Sequence, residues 1–271
     1  MEASAPLLQR ADGAARVSFA RRDGVTRLAD LYQRDPARVL FPDPDPGQPP
    51  EAVVLTTSGG LTDGDRVALE IETGPETEAV VTTQAAEKIY RAAGLRHVAI
   101  DVVVRVATGA QLDWLPQETI VFDGARVKRR TVADVEVGGR LLACEAVVLG
   151  RAWSGERFRR GLLLDRWTVR RSGREIWTDA LRLEGDMPGA AGFGAANALA
   201  TVIGVCDAPQ PELEHARALL TAVPAEVRTG VTSVNSVIVA RLLGEAGAVR
   251  RALVPFLSGW RGRKLPRVWH T

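Results

Sequence analysis

The sequence predicts a mainly β fold, layered, barrel or solenoid in form, with a short C-terminal helical region. Three observations predict it. Short apolar runs punctuated by glycine succeed one another over residues 16–205. No helical periodicity separates those runs, which argues against βαβ units and a helix-covered parallel sheet. Helical spacing enters only near Pro211, so the chain divides into a mainly β part, 16–206, and a helical and β appendage, 211–262. No linker parts the two, and 1–271 is expected to form a single domain.

The elements follow in order. The Pro- and Asp-rich tract 42–50 is a loop. Val67, Leu69 and Ile71 alternate with Ala68, Glu70 and Glu72, a half-buried strand. The turn signal Gly74-Pro75 leads to a second run, 77–83. Residues 97–106 are apolar on both faces and read as a strand packed between two layers. Ile120-Val121-Phe122 runs into Asp123-Gly124, a type I′ hairpin signal, and then into the run 127–137. Further strands are expected at 141–149, 162–171, 175–183 and 199–206. No strict repeat marks a solenoid. Behind Pro211, Leu213, Ala216, Leu219 or Leu220, and Val223 line one helical face; a β-like stretch covers 227–243. Ala246, Val249, Leu253, Phe256 and Trp260 then recur every three or four residues in a helix ending near Gly262.

Composition bounds the function. The 271 residues carry Lys+Arg 35 against Asp+Glu 33, with 46% hydrophobic and 25% charged. That excludes disorder, collagen and a disulfide scaffold. Cys144 and Cys206 stand apart in apolar runs and are expected to be small buried hydrophobes in a reducing compartment. No signal peptide is visible, and the uncharged stretch 187–206 reads as a glycine-rich loop entering a buried strand. The expectation is a soluble, cytoplasmic protein with no membrane span. Basic clusters such as Arg126/Lys128/Arg129/Arg130 lack interleaved aromatics, so no nucleic-acid partner is expected.

The usual catalytic patterns are missing. There is no phosphate loop, no nucleophile elbow and no His/Cys spacing for zinc; His97, His215 and His270 are scattered. What remains is a set of acids beside turns and apolar strands. Asp63 and Asp65 flank Gly64, Glu87 and Lys88 precede Tyr90, Asp113 and Glu118 bracket residues 114–117, and Glu156 follows Gly155. Singly, each has a structural explanation: a turn cap, a solvated pair, a hairpin. Together they can line a hydrated, oxygen-rich path.

Ser58-Gly59-Gly60-Leu61-Thr62-Asp63-Gly64-Asp65-Arg66 and Val81-Thr82-Thr83-Gln84-Ala85-Ala86-Glu87-Lys88-Ile89-Tyr90-Arg91 resemble the signature of the urease accessory protein UreD family. So do Leu112-Asp113-Trp114-Leu115-Pro116-Gln117-Glu118-Thr119-Ile120, Phe122-Asp123-Gly124-Ala125-Arg126, Leu149-Gly150-Arg151 with Gly155-Glu156, and Pro266-Arg267-Val268-Trp269-His270-Thr271. Asp63 stands where glycine is usual, and Thr57-Ser58 replaces a commoner pair.

The resemblance implies a β-helix-like fold and a non-enzymatic urease maturation chaperone. Such a protein binds accessory protein F, through it the nickel-carrying GTPase G, and docks on apo-urease. It has no tightly bound cofactor, and nickel is in transit through an internal tunnel. Dispersed histidines and cysteines with abundant carboxylates suit release of Ni²⁺ better than storage. On this basis Asp65, Glu118 and Glu156 are expected on the nickel path. The structural alternatives are a turn cap for Asp65, pairing of Glu118 with Arg126 or Lys88, and pairing of Glu156 with Arg151. Gln84, Lys88, Tyr90 and Arg91 are expected to form a polar cluster, Lys88 and Arg91 holding Asp65 or Glu118. Phe256, Leu257 and Trp260 are expected to contact protein F, or else to pack their helix on the β body. The rival class is a β-solenoid-like carbohydrate-active enzyme using paired carboxylates such as Asp113 and Glu118.

Overall fold

The computed structural model describes residues 10–151, 154–185 and 192–270. In chain order its strands are β1 (Asp12–Arg22), β2 (Val25–Arg34), β3 (Ala37–Leu40), β4 (Glu51–Thr56), β5 (Arg66–Thr73), β6 (Glu78–Thr83), β7 (Glu87–Ile89), β8 (Val98–Val106) and β9 (Gln111–Leu115). They continue as β10 (Thr119–Val121), β11 (Arg126–Val135), β12 (Arg140–Leu149), β13 (Leu162–Arg171), β14 (Arg174–Glu184) and β15 (Ala198–Val205). Helix α1 (Pro209–Leu220), β16 (Arg228–Val234), β17 (Val237–Gly244), α2 (Ala246–Arg261) and a 3-10 turn (Arg267–His270) complete the described chain.

The strands form two stacked sheets joined as coils. In the first sheet β1, β5, β8, β11 and β13 run parallel, each paired in register with the next. In the second, β4, β6, β9 and β12 do the same. The chain alternates between sheets, β5 to β6, β8 to β9, β11 to β12, so parallel pairing arises from coiling rather than from helical crossovers. Short β7 and β10 pair with each other, and β10 also with β12. Antiparallel strands complete the edges: β2 and β14 in the first sheet, β3 in the second, and β15, β17 and β16 beyond β12. The architecture is mainly β and β-helix-like, with helices near the C-terminal end.

Alternation explains the first sheet. Ala15, Val17 and Phe19 of β1, with Leu69 and Ile71 of β5, are buried toward the second sheet. Strand β8, expected between two layers, belongs to this outer sheet. Val102, Val104 and Val106 point inward, while Asp101, Val103 and Arg105 face out. The strand with both faces covered is β12, because α1 and α2 pack on the outer side of the second sheet. Its run Leu141 to Val147 is buried throughout. Cys144, Val202 and Leu242 meet Leu253, Phe256 and Leu257 of α2 there.

One turn differs from the sequence reading. Asp123-Gly124 is not a hairpin: β10 pairs in the second sheet and β11 in the first, so the turn is a corner between layers. The Asp123 carboxylate accepts the N–H groups of Arg159 (2.8 Å) and Arg160 (2.9 Å) from the next coil, and Gly124 takes φ +80°. The stretch 227–243, by contrast, is a true hairpin turning at Asn235-Ser236, both at positive φ. Loop 42–50 is a loop as expected, and Arg267 anchors its Asp45. In the stretch 187–206, residues 187–191 lie outside the described residues, and β15 is the expected buried strand. Helix α2 is capped by Glu245, whose side chain accepts Ala248 N–H at 3.0 Å, and ends at Gly262 with φ +65°. Among the described residues no helix is long and apolar enough to cross a membrane.

Candidate functional site

Between the sheets the apolar packing gives way to a cavity of about 320 Å³. Val54, Leu69, Val102 and Trp114 supply its apolar wall. Oxygen-bearing side chains interrupt it, among them Thr56, Ser58, Glu87, Gln117, Thr131 and Glu145. The loop at Gly60 shapes one side. Gly60 has φ +148°, and a Cβ there would sit 2.5 Å from the Tyr90 ring and 2.8 Å from the Lys88 carbonyl. Only glycine fits that approach.

Coil geometry aims three ionisable side chains inward at one level. Arg129 sits on β11 among inward-facing Val127, Thr131 and Ala133, Asp165 on β13 beside Leu163 and Trp167, and Glu145 on β12. Arg129 donates to Asp165 through Nε (3.2 Å) and Nη2 (2.9 Å), and to Thr119 Oγ1 through Nη1 (2.8 Å). Glu145 is in contact with Arg129 and accepts the Trp167 Nε1–H. Burial pushes Asp165 up, against the pull of Arg129. A buried cluster of this kind holds together because each charge has a partner; removing one leaves the others desolvated and uncompensated.

Burial shifts two cavity groups toward their neutral forms. Burial pushes Glu87 up to about 7, offset in part by hydrogen bonds from Thr56 Oγ1 (3.2 Å) and the Lys88 N–H. Burial pushes the Cys144 thiol far above its ordinary range, and its Sγ–H points at the Pro116 carbonyl, 3.6 Å away. A protonated thiol is a poor metal ligand.

The expected path residues stand elsewhere. Asp65 is buried and accepts backbone N–H bonds from Ala11 (2.9 Å) and Thr62 (2.7 Å), the turn-cap arrangement. Glu118 pairs with Arg250 of α2 at 2.7 Å, rather than with Arg126 or Lys88. Glu156 accepts Asp123 N–H at 3.0 Å and pairs with Arg151 at 2.5 Å. Against the upward push of burial, those contacts hold Glu156 below the usual carboxylate range. None of the three lines the cavity; Glu118 borders a separate groove of about 720 Å³ beside α2.

The polar cluster divides. Gln84 and Lys88 line the cavity, and Lys88 makes no ion pair among the described residues. Tyr90 donates to Gly59 O at 2.7 Å and packs edge-on against Phe122. Arg91 pairs with Asp123 at 3.4 Å, so neither cation holds Asp65 or Glu118. The α2 residues Phe256, Leu257 and Trp260 take the packing arrangement given as their alternative. Phe256 and Leu257 are 2% and 0% exposed, packed on the second sheet. Trp260 is half-buried, stacks edge-on with Phe256 and donates to Glu212 at 3.1 Å. The amphipathic face is consumed within the chain. The rival's carboxylates are engaged separately: Arg261 holds buried Asp113 at 2.6 Å and Arg250 holds Glu118.

The sequence reading offers Glu87 both as half of a solvated pair and as one of the acids of an oxygen-rich path, and does not single out Arg129, Glu145 or Asp165 as site residues. A signal for the last two was present: each is a lone acid in an apolar strand, in Leu141-Leu142-Ala143-Cys144-Glu145-Ala146 and in Leu162-Leu163-Leu164-Asp165. Among the described residues no group of three His, Cys, Asp or Glu side chains is placed to hold a metal ion.

Comparison with known proteins bears on this arrangement. The family model described as UreD urease accessory protein matches residues 11–270. The chain is 41% identical over 277 residues to urease accessory protein UreD 2 of Methylorubrum populi, covering 98% of this chain and 92% of that one. It is 39% identical to the UreD of Magnetococcus marinus (96% and 94% covered) and 41% identical to that of Xanthobacter autotrophicus (98% and 92% covered). A family match over residues 11–270, with relatives about 40% identical over nearly their whole length, shows that this chain belongs to the UreD urease accessory protein family.

Proposed function

We propose that the protein is a urease maturation chaperone that docks on apo-urease, binds accessory protein F and through it the GTPase G, and passes Ni²⁺ through its interior toward the urease active site. The observation that supports the nickel part is the cavity: a space inside the β body whose largely apolar wall is interrupted by hydroxyl, amide and carboxylate oxygens. Carboxylate, hydroxyl and amide oxygens bind Ni²⁺ more weakly than imidazole or thiolate, which suits a path that must release its cargo. Cys144, the one sulfur on the wall, is held as a thiol. In this reading Glu87 and Glu145 take the part expected of Asp65, Glu118 and Glu156, whose carboxylates act at most through their negative potential. Protein F is met by surface outside the buried face of α2.

The test fills the cavity without touching a charge. Thr131, buried on its wall, is replaced by Phe (Thr131→Phe), and urease is purified from cells co-expressing the accessory set. The expected outcome is intact assembly with protein F and urease but nickel-poor urease. Intact assembly with nickel-replete urease overturns the conduit, leaving the protein as a docking scaffold.

A further inference from the structure

The helices lie on the second sheet, and among the described residues no helix packs across the outer face of the first. That face is uneven in charge. Its parallel strands pair in register, so outward side chains stand in rows across them, neighbours about 4.8 Å apart. Toward the strand ends the rows balance. Arg105 pairs with Glu70 and Glu72, Arg16 pairs with Asp30, and Arg170 stands in register between Asp134 and Glu175.

Toward the strand starts they do not. One row runs Arg66, Ala99, Lys128, Leu164, and the next sets Arg130 directly beside Arg166, like charges that repel across the ladder. Arg126 stands one row further, its Nε buried without a hydrogen-bond partner. The acids of this end are already engaged: Asp12 by Arg34 at 3.0 Å, Asp101 by Arg130 at 3.2 Å and Glu184 by Arg182 at 2.5 Å. Arg66, Arg126, Lys128 and Arg166 are left without an ion pair among the described residues. Three of them act on one neighbour: burial, and then the charges of Lys128, Arg126 and Arg66, push His97 below its ordinary value.

Massing cations in this way gains the chain nothing internally, and a partner bringing negative charge relieves the repulsion. The neighbouring row says what kind of partner. Val103, Val132 and Thr168 stand side by side there, uncharged and half-buried. A protein interface sets such a strip beside its charges. Nucleic acid is gripped by aromatic platforms along a cationic groove, and no aromatic stands on the outward face of β5, β8, β11 or β13. We infer that the strand-start end of this face, centred on Lys128 and Arg166, is a docking surface for an acidic patch on a protein partner. The inference rests on the docking reading above, which supplies that partner: apo-urease. Opposite charges steer such an encounter and make it sensitive to salt.

The test measures binding of the full chain, with protein F attached, to immobilised apo-urease at about 50 and about 300 mM salt. Lys128→Glu with Arg166→Glu is expected to weaken binding at low salt by about tenfold or more and to flatten its salt dependence. Arg170→Glu with Arg174→Glu makes the same change of net charge at the balanced end and is expected to bind as wild type does. Thermal melting and retained protein F check the fold; if the Glu pair melts early, Lys128→Gln with Arg166→Gln carries the same comparison. Wild-type affinity in the Lys128/Arg166 variants overturns the surface, as does an equal loss in the Arg170/Arg174 variant, which reports net charge alone. Loss of protein F with apo-urease still bound also overturns it. A random-sequence DNA duplex held through Lys128 and Arg166 as tightly as apo-urease assigns the face to a polyanion instead. If the wild-type chain leaves apo-urease unbound, the docking reading falls and the surface with it; if it binds and the variants bind equally, the surface alone falls.

Discussion

The second sheet separates two interiors built on opposite rules. On its outer side, Leu253, Phe256, Leu257 and Trp269 form an apolar layer with the helices, and separate ion pairs clasp it: Arg250 to Glu118 and Arg263 to Glu78 at its margin, and Arg261 to Asp113 buried beneath α2. On its inner side, the ions of Arg129, Glu145 and Asp165 are inside the layer, beside a cavity. Apolar side chains collapse on any void their shape allows, whereas charges that must satisfy one another hold fixed positions. The outer layer therefore secures the helices, and the inner one keeps a space open.

Removing one member of the inner cluster should have the largest effect. Arg129→Ala strands two buried carboxylates and is expected to cost about 3–5 kcal/mol in urea unfolding. Replacing the set by apolar residues, Arg129→Met with Glu145→Leu and Asp165→Leu, should recover most of that loss while closing the cavity. If the single and triple variants unfold alike, the distinction between the two interiors is broken. On the outer side, Leu257→Ala should cost about 3 kcal/mol through the void it leaves, with nickel per assembled urease unchanged.

A smaller, pH-dependent effect sharpens the contrast. Glu87 holds its proton to about 7 in the folded chain against about 4.5 when exposed, so the folded state binds the extra proton and loses stability as pH rises through that window. Glu87→Gln should match wild type at about pH 4 and exceed it by about 2 kcal/mol at pH 8, a shift discounted for the cavity's open side. Thermal unfolding at the two pH values reads the difference; a constant gap removes the pH argument. The smallest effect belongs to the solvated face of the first sheet. Arg105→Ala, losing exposed partners Glu70 and Glu72, should change stability by less than about 1 kcal/mol, and salt should erase even that.

Local chemistry was legible wherever it acts locally. The α2 spacing, its end at Gly262 and the alternation of β5 are properties of one segment and stand in the structure as expected. Pairing is not such a property. Asp23-Gly24 and Asp123-Gly124 are the same dipeptide, and all four residues involved do turn the chain. The first closes the β1–β2 hairpin; the second carries the chain across a corner, because Arg159 and Arg160 of the next coil bind its carboxylate. Likewise the face of α2 showed its apolar stripe in sequence, but not whether that stripe met this chain or a partner.

By itself the sequence determined the mainly β class, the late helices, the turn positions and, through motifs in order along nearly the whole chain, the family. Those depend on residue type and spacing, which short-range sterics and burial translate directly. Only the tertiary structure decided which acids face inward. Glu145 and Asp165 sit in apolar strands, far from Arg129 in sequence by 16 and 36 residues, and coiling brings all three to one level. Asp65, Glu118 and Glu156 sit beside the signature turns, yet backbone donors and arginines from other coils or from α2 claim them. The reason is physical: a carboxylate's role is set by what neutralises it, and here the neutralising group arrives from a distant part of the chain.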